Sequence, residues 1–229
     1  MITKNEMNPN RTARIAGFLY LLLAPLGILG IMYVPNAIIV TDDMVATANN
    51  ILANESLFRL GIVSALLVQV VNIFVVLFLY KLLKPVNKNM ALLMVIFILL
   101  GAPIAMLNEV NQAAVLLLAD GGELSQALMA LFIDMHEFGI QIASIFWGLW
   151  LFPMGYLVFK SNYIPKIIGI LLMVGCVGYL FDAIVFFLFP DVGLAVAQFT
   201  FIGELLLPLW LVIMGVNVEQ YEKRTLAVA

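Results

Sequence analysis

Hydrophobic residues in this chain are gathered into six long runs, which shorter polar segments separate. Each run meets the requirement of about 20 apolar residues for a helix that crosses the hydrocarbon core of a membrane. A transmembrane barrel would instead show strands of about ten residues with alternating apolar and polar positions. The pattern therefore predicts an all-α, polytopic membrane protein with six transmembrane helices in a single domain, residues 1–229. The predicted spans are 15–34, 57–83, 90–118, 124–159, 164–189 and 195–218.

The connection between the first two runs, residues 35–56, has a helical pattern of its own. Thr41 and Asp42 belong to the residue types that favour a helix N-cap, and apolar side chains then recur at helical spacing. We expect an amphipathic helix that lies on the outer membrane surface, with a plain linker as the alternative. Its apolar positions are Met44, Val45, Ala48, Ile51 and Leu52.

The basic residues fall on one side of the predicted spans. Of the 11 Lys and Arg residues, only Arg59 lies on the opposite side. Because short cytoplasmic loops carry an excess of Lys and Arg, both termini are expected to be cytoplasmic. The residues on the cytoplasmic side are Lys4, Arg11, Arg14, Lys81, Lys84, Lys88, Lys160, Lys166, Lys223 and Arg224.

The composition agrees with a membrane location. Hydrophobic residues make up 64% of the 229 positions and charged residues 11%, whereas soluble domains have roughly 45–50% and about 25%. The net charge of -3 argues against a nucleic-acid partner. A single cysteine, Cys176, excludes an intramolecular disulfide. The sequence has no H-E-x-x-H, G-x-S-x-G or P-loop motif, and no cofactor is expected.

Polar side chains inside the predicted spans are the candidate functional residues, because such groups are costly to bury in hydrocarbon. Counting about 1.5 Å per residue from the cytoplasmic ends puts Glu109, His136 and Glu137 at or beyond the outer boundary of the hydrocarbon core. By the same count Asp182 lies about 24 Å and Glu204 about 20 Å from those ends. This gradient predicts an outward-facing polar vestibule. Its candidate ligand- or ion-binding residues are Glu204, Asp182, Glu109, Glu137, His136, Gln141, Asn108, Gln112, Asn72 and Gln69.

His136, the only histidine, lies in the sequence Asp-Met-His-Glu on the fourth predicted span. At about 100° per residue, Asp134, Glu137 and Gln141 share one stripe, whereas His136 lies about 100° from Glu137. We expect this stripe to pair with a polar stripe on the third span. His136 should then point off the stripe, in a solvated or helix-contact position, with metal ligation or proton transfer as the alternative.

Asp182 has a structural alternative to ion binding. Gly175, Gly178 and Tyr179 share its face of the fifth predicted span, where another helix can approach closely. Asp182 would then fasten two helices through hydrogen bonds. The same alternative applies to Glu204.

Two short motifs give the sequence a resemblance to a known family. They are G-Y-L-x-D at residues 178–182 and G-E-x-x-L-x-x-W at residues 203–210, and the likeness extends over nearly the whole chain. The chain resembles a widespread bacterial multi-pass membrane family that carries only a domain-of-unknown-function label. This resemblance implies a protein of the bacterial cytoplasmic membrane and implies no activity.

Three classes of function remain open. The first is a membrane-embedded protein that binds or transports a cation, a small solute or a lipid, with Asp182 and Glu204 as carriers. Six spans are few for a transporter, so a homo-oligomer in the lipid bilayer is expected. The second class is a sensor or accessory subunit that uses the same vestibule without transport. The third, less favoured, is a metal-dependent intramembrane hydrolase built on His136 and nearby carboxylates.

Overall fold

The computed structural model describes residues 8–226, and this part of the chain is almost entirely helical, with no β-strand. The predicted all-α class is therefore confirmed. Lys4, one of the basic residues named above, lies outside the described residues. A π-helical turn, Ile28–Tyr33, joins the first two helices. The helices are α1 (Pro9–Gly27), α2 (Val34–Ile38), α3 (Met44–Ala53), α4 (Glu55–Leu83), α5 (Lys88–Leu118), α6 (Glu123–Leu149), α7 (Leu151–Ser161), α8 (Lys166–Leu188), α9 (Ala197–Thr200), α10 (Ile202–Ile213) and α11 (Val218–Leu226).

Five helical segments in residues 8–226 are long and apolar enough to cross a membrane, which makes the chain a multi-pass helical membrane protein. A sixth crossing requires α9 and α10, which a bend of 100° separates from α11. The five segments are Pro9–Ile38, Glu55–Leu83, Lys88–Leu118, Glu123–Ser161 and Lys166–Leu188.

The helix that corresponds to the predicted span 195–218 ends at Ile213. The N–H groups of Met214 and Gly215 both donate to the carbonyl of Trp210, at 2.8 and 3.1 Å. Gly215 has a φ of 71°, in the left-handed region that glycine adopts without steric penalty and that commonly ends helices. The residues after Ile213 therefore form a turn instead of continuing the span.

The described residues form two compact units. Unit 1 comprises the segment that ends at Leu21, the segment Asn72–Gly101 and the chain from Ser144 onward. Unit 2 comprises Leu22–Val71 and Ala102–Ala143. The long helices α1, α4, α5 and α6 contribute residues to both units, so the unit boundaries fall within helices rather than at loops.

One end of unit 1 brings together the start of α1, the connection between α7 and α8, and the turn after α10. The Asn10 side-chain oxygen accepts a hydrogen bond from the N–H of Val216 at 2.8 Å. Tyr163 accepts at its carbonyl from the N–H of Asn217 (3.1 Å) and donates its hydroxyl to the carbonyl of Leu82 near the end of α4 (2.7 Å). Arg11, Arg14, Lys160 and Lys166 lie in or beside the first two of these segments, so their grouping supports the prediction that both termini share one side.

Helices of unit 1 approach one another closely at glycines. A Cβ at Gly155 on α7 would lie 2.6 Å from the carbonyl oxygen of Gly169 on α8. A Cβ at Gly169 would likewise lie 2.6 Å from the carbonyl oxygen of Gly155. A Cβ at Gly203 on α10 would lie 2.6 Å from the backbone nitrogen of Leu172 on α8. Because no side chain fits at these positions, the backbone of α8 packs directly against α7 and α10.

The connection 35–56 contains the predicted helix, α3, which packs on the core of unit 2. Its N-cap is Asp43, whose carboxylate accepts a hydrogen bond from the N–H of Ala46 at 2.8 Å. Ala48 and Ile51 are buried, whereas Val45 and Leu52 are 52% and 50% exposed. The placement of α3 on a membrane surface stays a prediction. The core comprises Val34, Ile38, Ala48, Ile51, Phe58, Val115, Ala119 and Met129.

The π-helical turn Ile28–Tyr33 also belongs to unit 2 and packs against α4. The backbone N–H of Val34 donates to the carbonyl of Leu29, five residues earlier, as a π-helix requires. A Cβ at Gly30 would lie 2.7 Å from the backbone nitrogen of Ala65. The Ser64 hydroxyl donates to the carbonyl of Leu26 just before the turn, at 2.9 Å.

Candidate functional site

Glu204 places a carboxyl group inside unit 1, where one of its oxygens has no partner. Glu204 follows Gly203, where the start of α10 packs closely against α8. Its Oε2 accepts a long hydrogen bond from the Tyr20 hydroxyl, at 3.4 Å. Tyr179 is a second neighbour of the carboxyl group. Oε1 is buried and has no hydrogen-bond partner among residues 8–226.

Aromatic side chains form part of the surroundings of Glu204. Tyr20 is buried, and its ring lies 5.6 Å from that of the buried Trp150, measured between centroids, with the two planes tilted by 49°. Neither Tyr20 nor Trp150 is among the site residues that the sequence predicted. The available signal was that both are aromatic residues with a polar atom inside apolar helices, where such an atom needs a partner.

Asp182 is already engaged by the backbone. Its two carboxylate oxygens accept hydrogen bonds from the N–H groups of Val196 (2.6 Å) and Ala197 (2.8 Å) at the start of α9. Such charge-assisted bonds to backbone N–H groups are the usual way in which an acid stabilises a helix start. The structure therefore favours the helix-fastening alternative for Asp182 over the carrier role.

A second polar cluster lies in unit 2, between α5 and α6. His136 on α6 contacts Glu109 through Nε2 (3.1 Å to Oε1) and Gln112 through Nδ1 (3.2 Å to Nε2). The Asn108 side-chain nitrogen donates to the carbonyl of His136 at 2.8 Å and its oxygen accepts from Asn111 at 2.9 Å. Asn108, Glu109 and Gln112 are all buried. The structure thus joins four of the predicted site residues, Asn108, Glu109, Gln112 and His136.

The expected orientation of α6 is wrong at this point. Glu137 and Asp134 are exposed, whereas His136 faces α5. The reason is Gly139, where a Cβ would collide with the side chain of Asn108. Because Gly139 has no side chain, the Asn108 amide can reach the α6 backbone. This contact determines which face of α6 packs against α5. The signal in the sequence was His136, Gly139 and Ala143 at helical spacing, with small residues after the histidine.

Three further predicted site residues are Gln69, Asn72 and Gln141. Gln69 and Asn72 are buried on α4, and each has a side-chain oxygen without a hydrogen-bond partner among the described residues. Gln69 belongs to unit 2 and Asn72 to unit 1. Gln141 is half-buried on α6.

The described part of the chain holds no group of three or more His, Cys, Asp or Glu side chains that could bind a metal ion. His136 has a single carboxylate neighbour, Glu109, among its recorded hydrogen bonds. The metal-dependent hydrolase therefore receives no support from residues 8–226.

Comparison with known proteins identifies the family. The profile of DUF4386, a domain of unknown function, matches residues 15–215. An uncharacterized protein from Archaeoglobus fulgidus is 32% identical over 157 residues, which cover 68% of this chain and 83% of that protein. No solved structure matches the chain. Both Glu204 and the His136 cluster lie within the matched region, and the chain belongs to the DUF4386 family.

Proposed function

We propose that this protein binds a proton or a small cation at Glu204 and carries it, alone or with a small solute, across the bacterial cytoplasmic membrane. The observation that carries the proposal is the buried Oε1 atom of Glu204, which lacks a hydrogen-bond partner among residues 8–226. An ionised carboxylate in apolar surroundings needs donors or a cation, and a neutral one needs a proton. Either state makes Glu204 a site that takes up positive charge.

The neighbours of Glu204 support an exchangeable ligand. A carboxylate has room for about four acceptor contacts, whereas Tyr20 supplies one long contact at 3.4 Å to Oε2 and Tyr179 supplies a second side-chain interaction. A structural carboxylate would be expected to have its oxygens engaged, as Asp182 has in the same unit. The contrast between these two acids favours Glu204 as the carrier.

The alternative function is that of a sensor or an accessory subunit. Such a protein would use the same buried acid for binding and would carry no flux. The outward-facing vestibule, the cytoplasmic placement of both termini and the homo-oligomer belong to the proposal as predictions.

Flux in proteoliposomes tests the proposal. Vesicles with a trapped pH dye are given a proton gradient or a sodium gradient, with valinomycin and potassium to set the voltage. We expect Glu204→Gln to slow the flux about tenfold or more, because an amide cannot take up a proton or balance a cation. Glu123→Gln is the matched control, since it makes the same chemical change at an exposed acid outside the candidate site. Equal flux in wild type and a folded Glu204→Gln protein would show that Glu204 is not the carrier.

Labelling by the apolar reagent dicyclohexylcarbodiimide separates transport from binding alone. This reagent modifies protonated carboxyl groups in apolar surroundings, and mass spectrometry of peptides identifies the residue. We expect Glu204 to be labelled, and sodium to protect it if sodium is the ligand. Labelling without flux would favour the sensor or accessory subunit.

A further inference from the structure

His136 in unit 2 is a titratable side chain that the Glu204 proposal does not use. Its ring is held from two sides, with Nε2 3.1 Å from Glu109 Oε1 and Nδ1 3.2 Å from Gln112 Nε2. The side chain is 15% exposed and that of Glu109 is 9% exposed. The pair therefore lies largely out of contact with solvent.

The orientation of the Gln112 amide implies where the ring protons are. With the amide as the structure has it, its nitrogen donates, so Nδ1 accepts from Gln112 and carries no proton. The single proton of a neutral ring is then on Nε2, from which it is donated to Glu109. The opposite orientation of the amide would go with a proton on Nδ1.

The net charge of this arrangement favours uptake of another proton. An ionised Glu109 beside a neutral ring leaves one buried negative charge without a cation, which is costly in apolar surroundings. A proton added to Nδ1 converts the ring into an imidazolium ion, and the pair becomes neutral overall. The proton comes from water, and the one interaction it breaks is the hydrogen bond from Gln112 to Nδ1.

The side chain of Gln112 can respond to protonation of His136 without movement of α5. Its Oε1 atom is buried and has no hydrogen-bond partner among the described residues. A rotation of the amide by about 180° exchanges the oxygen and the nitrogen, after which Oε1 can accept from a protonated Nδ1. Because no recorded bond holds the amide on its other side, the protonation state of the ring decides the orientation.

We propose that His136 and Glu109 form a proton-binding site and that proton uptake at Nδ1 reverses the amide of Gln112. Asn108 holds the carbonyl of His136 at 2.8 Å in either state, since that bond does not involve the ring. The change is therefore confined to side chains between α5 and α6.

The other charged groups of unit 2 are exposed. Glu55 and Arg59 on α4 form an ion pair with each other at 2.7 Å, and both are about half exposed or more, so they contribute little net charge. Asp43 caps α3. On α6, Asp134 and Glu137 are exposed to the surroundings. Glu109 is thus the acid that a recorded contact joins to the ring.

Nitrogen NMR of the single histidine tests the proposal. The full-length protein is labelled with 15N-histidine, purified with a tag that contains no histidine and placed in lipid nanodiscs, so that one ring gives all signals. We expect the Nε2–H tautomer at alkaline pH, and protonation of Nδ1 as the pH is lowered. A neutral ring that carries its proton on Nδ1 in the wild-type protein would overturn the proposal.

Two substitutions of Gln112 should affect the titration to different extents. Gln112→Glu offers an acceptor and no donor, so the ring should remain doubly protonated to a pH about one unit higher than in wild type. Gln112→Met offers neither and removes a bond to Nδ1 from both protonation states, so it should shift the titration less than Gln112→Glu does. Glu137→Gln, beside His136 but exposed, is the control and should leave the titration unchanged.

The substituted proteins are compared only where their thermal unfolding matches that of wild type. Identical titration curves for folded wild-type and Gln112→Glu proteins would show that Gln112 does not sense the ring. A curve that moves with Glu137→Gln as much as with Gln112→Glu would also contradict the proposal, because it would assign the effect to general surface charge. Neither result depends on whether Glu204 carries flux.

Discussion

Three acids in the apolar helices differ in how many hydrogen-bond partners reach them. Asp182 has both oxygens bonded to backbone N–H groups, Glu109 faces His136, and Glu204 has Tyr20 and Tyr179 as neighbours and one oxygen without a partner. All three come from similar apolar sequence. The presence or absence of a donor at each carboxyl oxygen therefore distinguishes a structural acid from a candidate binding acid better than its depth does.

Tyr163 gives a prediction at the scale of one residue. Burial raises the pKa of its phenol above the ordinary value of about 10. In the unfolded chain the phenol ionises near pH 10, whereas the folded protein retains the proton, so its contribution to stability is complete below about pH 10 and declines above it. Tyr163→Phe should lower the free energy of unfolding by about 1 kcal/mol at neutral pH, through loss of the bond to Leu82.

Thermal unfolding measured by tryptophan fluorescence between pH 7 and 11 checks this. The loss of stability above about pH 10 should be smaller in Tyr163→Phe than in wild type. Tyr33→Phe, which changes an exposed tyrosine, is the control. An unchanged pH profile in the Tyr163 variant would contradict the assignment.

The sequence could predict which residues were candidates better than it could predict their contacts. Glu204 stands out because an acid in an apolar run is costly. His136 makes a helix contact, one of the two positions predicted for it, whereas the stripe with Asp134 and Glu137 was wrongly expected to face α5. Which face of α6 meets α5 depends on Gly139, whose importance comes from the Asn108 side chain on another helix. The spacing of His136, Gly139 and Ala143 is a local signal, but it does not identify the partner Asn108.

At the scale of elements, helices were predicted well and their interruptions poorly. The predicted span 124–159 is two helices, α6 and α7, which meet at Trp150. Pro153 has no N–H to donate to the carbonyl of Leu149, which accounts for the break. At the end of α10, apolar residues continue past Ile213, but Gly215 with its left-handed conformation ends the helix. Hydropathy detects neither event, because neither changes the apolar character of the run.

The glycine contact between α7 and α8 gives a prediction for a pair of elements. Gly169→Ala should lower the free energy of unfolding by about 1–3 kcal/mol, because the new Cβ would lie 2.6 Å from the carbonyl oxygen of Gly155. Gly27→Ala is the matched control, since nothing lies within 4 Å of its Cβ position. Thermal unfolding in detergent or nanodiscs provides the measurement. A Gly169 variant as stable as the Gly27 variant would mean that the two helices can separate without loss.

At the scale of the whole molecule, composition and run length predicted the class, whereas the division into two units was not foreseen. The boundaries of the units fall inside α1, α4, α5 and α6, within uninterrupted apolar runs. No change in composition marks them. The boundaries are set by contacts between residues of different helices. The periodicity along one helix carries no information about those contacts.

The number of crossings gives a prediction for the whole chain. Contacts of Asn10 with Val216 and of Tyr163 with Asn217 place the start of α1 and the end of α10 at one end of unit 1. The chain should therefore have an even number of spans, with both termini on the cytoplasmic side. A C-terminal green fluorescent protein should fluoresce, and alkaline phosphatase fused there should be inactive. The reverse pattern would mean five crossings, with α10 failing to cross.

Because of the π-helical turn Ile28–Tyr33, the packing of the first helical segment depends on its exact number of residues. Compared with an uninterrupted α-helix, the turn accommodates about one additional residue, and each residue corresponds to about 100° of rotation. Val34 and Ile38 follow the turn and are both buried in the core of unit 2. Deletion of one residue within the turn would restore ideal α-helical hydrogen bonding and yet rotate both side chains out of that core. The helix with the π-helical turn is therefore the one that places Val34 and Ile38 in the core of unit 2.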